Sequence, residues 1–134
     1  LTQPALPDRA LRGVGAWIVL AMAGVFLLLA VLFAASPALG AAVFGIPATE
    51  EGGLVYVRAL ALRDGALGLY LIGLLRFSTR RAVGIVLAAT VVIPAGDLLL
   101  ILEQEGLSSP GHLLLHGVSG VSCAMVAFWL LRLN

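Results

Sequence analysis

A chain of 134 residues that is 61% hydrophobic and only 11% charged is too apolar for a soluble domain, in which charged residues make up about 25%. Its eight basic residues are all Arg and are nearly balanced by seven acids, to a formal net charge of +1; no basic run can track a phosphate backbone, which excludes nucleic acid as a partner. The lone Cys123 excludes a disulfide framework or a Cys-x-x-Cys redox pair within one chain.

Crossing about 30 Å of hydrocarbon at 1.5 Å per residue takes about 20 apolar residues. Four stretches meet that length, so the expected fold is all-α: a four-helix transmembrane bundle, one integral membrane domain over residues 1–134, multi-pass in a bacterial inner membrane. The first span, Val14 to Ala35, contains no ionisable residue and is expected to shield the bundle from lipid, with Gly13, Gly15 and Gly24 as packing positions. It ends in Phe33-Ala34-Ala35-Ser36, small residues like those of a signal-peptidase site. Its apolar core of about 20 residues exceeds the 7–15 typical of a signal peptide, so it reads as a span. The chain does not begin with Met, and residues upstream of Leu1 are expected.

The link from Ser36 to Gly53 is long for a bundle connection and holds a short apolar piece framed by Pro37 and Pro47. It suits an interfacial or re-entrant segment over the outer end of the bundle, either a lid or a loop resting among headgroups. The second span runs from Leu54 to Leu75, the third from Ala82 to Leu102 and the fourth from His112 to Leu131. Arg9 and Arg12 precede the first span, Arg76, Arg80 and Arg81 lie between the second and third, and Arg132 follows the fourth. The other two links carry Glu50, Glu51 and Glu105 and no basic residue. By the positive-inside rule both termini and the second link face the cytoplasm.

Arg58, Arg63, Asp64 and Asp97 interrupt these spans, and His112 and His116 open the last. Each charge at membrane depth costs roughly 2.5–3.5 kcal/mol on the insertion scale, which makes an intramembrane site the working hypothesis. Counting rise along each helix places Arg58, Asp97 and His116 in one layer roughly 6–8 Å below the outer surface, with Tyr56 and His112 just above and Arg63 and Asp64 about 15 Å down. On the fourth helix His112, His116, Ser119 and Cys123 form one polar stripe, and on the third Thr90, Pro94 and Asp97 share a face. Pro94 cannot donate to the Thr90 carbonyl, so a kink is expected there. On the second helix Tyr56, Leu60 and Arg63 share one face, and Arg58, Ala61, Gly65 and Gly68 nearly the opposite one. The Ala61-x-x-x-Gly65 pattern permits close helix approach and makes this helix central. Arg63 and Asp64 are adjacent and do not face each other, so their partners are expected on other helices. Trp17, Trp129 and Tyr56 suit interfacial anchors.

Several functions fit these residues. The leading expectation is a membrane-bound cyclase, isomerase or hydrolase that works on a lipophilic small molecule by acid–base chemistry in an outer-leaflet cleft. Asp97 and His116 would form the acid–base pair, Arg58 and Arg63 would stabilise an anion or position carboxylates, and Asp64 would be the second carboxylate. Tyr56, Thr90, His112 and Ser119 would contact the substrate, and no cofactor is called for. His112, His116 and Asp97 also have the residue types of a two-histidine, one-carboxylate metal site, although no metal is assigned. A small homo-oligomeric transporter or channel would use the same charges as an ion or proton relay. A non-catalytic assembly subunit, or two ion pairs that only fix which helices meet, would need no chemistry at all.

The runs Phe44-Gly45-Ile46-Pro47, Tyr56-Val57-Arg58-Ala59-Leu60-Ala61-Leu62-Arg63-Asp64 and Pro94-Ala95-Gly96-Asp97, followed by a histidine opening the last helix, resemble a family of small four-helix membrane proteins of unknown function from bacteria and fungi. The similarity covers most of the chain from Phe44 onward. It implies that Arg58, Arg63, Asp64, Asp97 and one histidine belong to the family pattern, and it supplies no activity. A looser likeness in size and helix number links the chain to DoxX-like and DoxD-like proteins, and transfers no residue.

Overall fold

The computed structural model describes residues 11–48 and 50–132. Arg9, part of the basic flank expected ahead of the first span, lies outside the described residues. The described chain is helical from end to end: α1 (Val14–Ala35), α2 (Pro37–Phe44), α3 (Glu51–Phe77), α4 (Arg80–Thr90), α5 (Val92–Glu105) and α6 (Pro110–Arg132).

Large apolar side chains cover much of the helical surface, and two carboxylates lie inside. Leu62 is 78% exposed and Leu114 68%, whereas Asp64 is 3% and Asp97 7% exposed. In water such a surface would aggregate; in lipid it is solvated. Three helices are long and apolar enough to cross a membrane: α1, the α4–α5 unit of 26 residues, and α6. They mark the chain as a membrane protein. The α3 helix is longer, at 27 residues, and Arg58, Arg63 and Asp64 interrupt its apolar stretch, which sets it apart from the three apolar helices.

Helix ends follow local chemistry. The Thr79 hydroxyl caps α4 by accepting from the Ala82 N–H at 3.3 Å, which satisfies one of the otherwise unpaired first-turn donors. Between α4 and α5 the ladder tightens: the Val91 N–H donates to Ala88 O at 3.3 Å, and the absent N–H of Pro94 leaves the Thr90 carbonyl without its usual partner. The expected kink is therefore a helix break at Val91. The segment after the first span is α2, with Pro37 in its first turn and Gly45 closing it at φ 105, a left-handed value that suits glycine.

Packing joins α3 chiefly to α1, and α6 to α4 and α5. Ala61 is buried and Gly65 faces Ala30 of α1, and the packing is tighter at Gly68, where an added Cβ would sit 2.7 Å from Leu27 Cγ and 3.0 Å from Ala23 O. Two apolar clusters result. Val19, Ala23, Leu71, Val83, Leu87, Ala127 and Leu130 join α1, α3, α4 and α6. Phe33, Ala41, Phe44, Val57 and Ala61 join α1, α2 and α3 around the other end. The first span thus contributes to both clusters and does more than shield. Asp64 lies on α3 between the residues that serve these clusters, Ala61 on one side and Leu71 on the other.

Candidate functional site

The buried face of α3 runs Val57, Ala61, Asp64, Gly68, Leu71, the three-and-four spacing of a single helical stripe. That register puts the Asp64 carboxylate inside the bundle. Arg63 is about 100° off this stripe, yet its long side chain folds back: Nε donates to Asp64 Oδ1 at 3.0 Å, and Nη1 lies 3.6 Å from Asp97 Oδ1 on α5. The expectation that these neighbours do not meet applies to short side chains and fails for an arginine able to curl along its own helix.

Asp97 is the hub. Its Oδ2 lies 3.5 Å from His116 Nδ1 on α6. The far nitrogen of that ring, Nε2, donates to the backbone carbonyl of Phe44 at 3.0 Å, and the Phe44 ring meets the imidazole edge-on with centroids 5.1 Å apart. Four helices and the end of α2 therefore converge on one cluster, since Thr90 at the end of α4 lines the same space while its hydroxyl donates to Val86 O at 2.8 Å. The role of Phe44 was not legible beforehand because it acts through its carbonyl, which every residue carries.

A cavity of about 70 Å³ adjoins the cluster, walled by Arg63, Asp64, Asp97, His116, Thr90, Ser119 and Cys123 on its polar side and by Phe26, Leu29, Phe33, Phe44 and Leu115 on its apolar side. One water needs about 10–15 Å³ on this measure, so the space holds several waters or the end of a small molecule. Phe26, Leu29 and Phe33 of α1 and Leu115, His116, Ser119 and Cys123 of α6 share the lining, and Leu115 and Ser119 are exposed, so the wall reaches the surface at α6. Those helices touch where the Trp129 ring lies against Gly15, and α2 bridges them at the other end.

Three expected site residues are elsewhere. Arg58 is exposed, one residue and about 100° past Val57 on the buried stripe, and it does not line the cavity. Tyr56, 77% exposed, diverges by the same angle in the opposite direction. His112 pairs its Nδ1 with Ser109 Oγ at 3.2 Å and packs on Gly45, away from the cavity wall. Among the described residues no three of His, Cys, Asp and Glu converge as metal ligands, so the two-histidine, one-carboxylate set is not assembled. The bounds at Glu51 and Glu105 shift both counts by three residues, so the depth difference between Arg63 and Asp97 stays at about 6 Å and the length of the arginine side chain closes it.

Fold and site together define an all-α membrane protein with an ionisable cluster buried beneath an apolar exterior and opened to it by a small cavity. Neither a curated protein nor a solved structure matches the chain, and the looser likeness to DoxX-like and DoxD-like proteins has no match behind it. The chain belongs to the family described as a domain of unknown function (DUF4267), whose profile matches residues 23–130 and so spans every member of the cluster.

Proposed function

We propose that the protein is a membrane-embedded enzyme that takes a lipophilic small molecule laterally from the bilayer and cyclises, isomerises or hydrolytically opens it by acid–base chemistry. In this reading α1, α3, the α4–α5 unit and α6 are four crossings of a bacterial inner membrane, with both termini cytoplasmic and the cavity in the outer half. Turning Asp64 inward and pairing Arg63 with it lowers the cost of α3 as the fourth crossing.

The observation that carries the proposal is the Asp97–His116 contact in the wall of a cavity that opens on the apolar surface. A carbonyl only accepts, so the Phe44 contact assigns a proton to His116 Nε2 and leaves Nδ1 as the nitrogen whose proton can come and go. That nitrogen faces Asp97. A proton held between Nδ1 and Oδ2 can be passed to, or taken from, a ligand atom in the cavity. Arg63 reaches both carboxylates and positions them, so it is not free to bind an anion.

The test is conversion of a lipid extract by the purified protein, read by mass spectrometry. Cyclisation and isomerisation shift retention at constant mass, and hydrolytic ring opening adds one water. Asp97→Asn and His116→Ala are expected to abolish conversion while circular dichroism stays helical. Full conversion by both variants sinks the assignment. The Arg63 contacts that tie α3 to α5 favour a second reading, in which the cluster only specifies helix pairing. That reading expects these variants to lose fold, with no conversion by the unaltered chain.

A further inference from the structure

The cavity wall sets two carboxylates, Asp64 and Asp97, against one guanidinium, Arg63. Asp97, only 7% exposed, meets its two partners at 3.6 and 3.5 Å, beyond the 2.7–3.2 Å of an ordinary N–H···O bond. Three of the donors nearby are engaged with other acceptors, and the Ser119 hydroxyl remains on the wall. Arg63 Nε serves Asp64, His116 Nε2 serves the Phe44 carbonyl, and the Thr90 hydroxyl serves Val86. A buried carboxylate held only by such long contacts gains from a closer donor, so a group that brings its own N–H or O–H complements this wall. Charge points the same way. One guanidinium already spans two carboxylates, which leaves no spare cation for an anionic headgroup.

We infer that the cavity accepts a lipophilic molecule whose buried end is a hydrogen-bond donor without negative charge, a hydroxyl or an amine, held by Asp97, with its apolar body lying past Leu29 and Leu115 toward lipid. The inference rests on the enzyme reading for the use of the site and narrows its substrate class to apolar alcohols and amines, excluding fatty acids and phosphates. A terminal hydroxyl or ammonium is smaller than the cavity of about 70 Å³ and would place its proton beside the Asp97 carboxylate.

Native mass spectrometry of the full chain released from detergent tests this with three probes of matched tail: dodecanol, dodecylamine and dodecanoate. The alcohol or the amine is expected to survive as a one-to-one adduct and dodecanoate is not. Asp97→Leu removes the acceptor and is expected to weaken the adduct by about tenfold or more, since a hydrogen bond to a charged group contributes about 1.5–3 kcal/mol. Should that variant not fold, Asp97→Asn keeps the shape and loses the charge, and it is expected to weaken the amine adduct more than the alcohol adduct. Retention of dodecanoate as well as the other two, or no adduct with any probe, overturns the inference. Adduct formation without lipid conversion leaves the donor site standing and removes the enzyme; conversion of an acid does the reverse.

Discussion

Replacing Arg63 with Gln should cost more stability than any other single surface-reaching change on α3. The side chain supplies one charge-assisted bond at 3.0 Å to Asp64 and a looser contact at 3.6 Å to Asp97. Its loss strands the Asp64 carboxylate, 3% exposed, and leaves Asp97, 7% exposed, with His116 as its remaining partner. Breaking a buried ion pair by removing one partner costs about 3–5 kcal/mol, because the remaining charge stays desolvated. Arg63 is itself 31% exposed on its side chain, which places the expected loss near the lower end, about 3 kcal/mol. Reversible unfolding in mixed micelles, followed by the fluorescence of Trp17 and Trp129, measures it. Removing both charges, Arg63→Gln with Asp64→Asn, should recover part of the loss, giving a coupling of about 1–3 kcal/mol between the two sites. Arg58→Gln, an exposed arginine on the same helix, should change stability by about 0.5 kcal/mol or less. Equal losses at Arg58 and Arg63, or strictly additive effects at Arg63 and Asp64, would refute the reasoning.

Helix packing gives a matched pair: Gly68→Ala, whose Cβ meets Leu27 at 2.7 Å and the Ala23 carbonyl at 3.0 Å, should destabilise by about 1–3 kcal/mol, whereas Gly24→Ala meets nothing within 4 Å and should be neutral or stabilising by up to about 1 kcal/mol through helix propensity; the same unfolding assay checks both. Gly45→Ala should disturb the site from outside it, since the residue holds φ 105 and its Cβ would lie 2.7 Å from His112 Cγ. Shifting α2 moves the Phe44 carbonyl off His116, and a changed His116 ring signal in NMR of the labelled chain is the expected sign. For orientation, cysteines placed at Glu51 and Ser108 should react with an impermeant thiol reagent in intact cells and one at Thr79 should not, with the buried Cys123 contributing little background. The opposite pattern would put the cavity in the inner half of the bilayer.

What could be read from the residues beforehand was whatever follows from periodicity and burial cost. Apolar length located α1, α4–α5 and α6 within a few residues. The phase of α6 set His116 and Cys123 on one face, and Pro94 announced the break beside Thr90. Three things were invisible for physical reasons. Arg63 reaches Asp64 through side-chain flexibility, which helical phase does not describe. Phe44 takes part through a backbone carbonyl that carries no residue signature, on a short helix whose composition also suited a loop. Arg58, Tyr56 and His112 were drawn toward the site by their apparent depth. Depth places a residue along a helix but not around it: Arg58 and Tyr56 each sit about 100° off the stripe that Asp64 occupies.

The most direct measurement is an experimental structure of the full chain in lipid nanodiscs, resolved well enough to see density between α1 and α6. The account predicts an elongated molecule passing Leu29 and Leu115, its polar end within hydrogen-bond distance of Asp97, and His116 still bound to the Phe44 carbonyl. A closed, dry interface between α1 and α6 with Asp97 drawn into tight bonds to both Arg63 and His116 would contradict it.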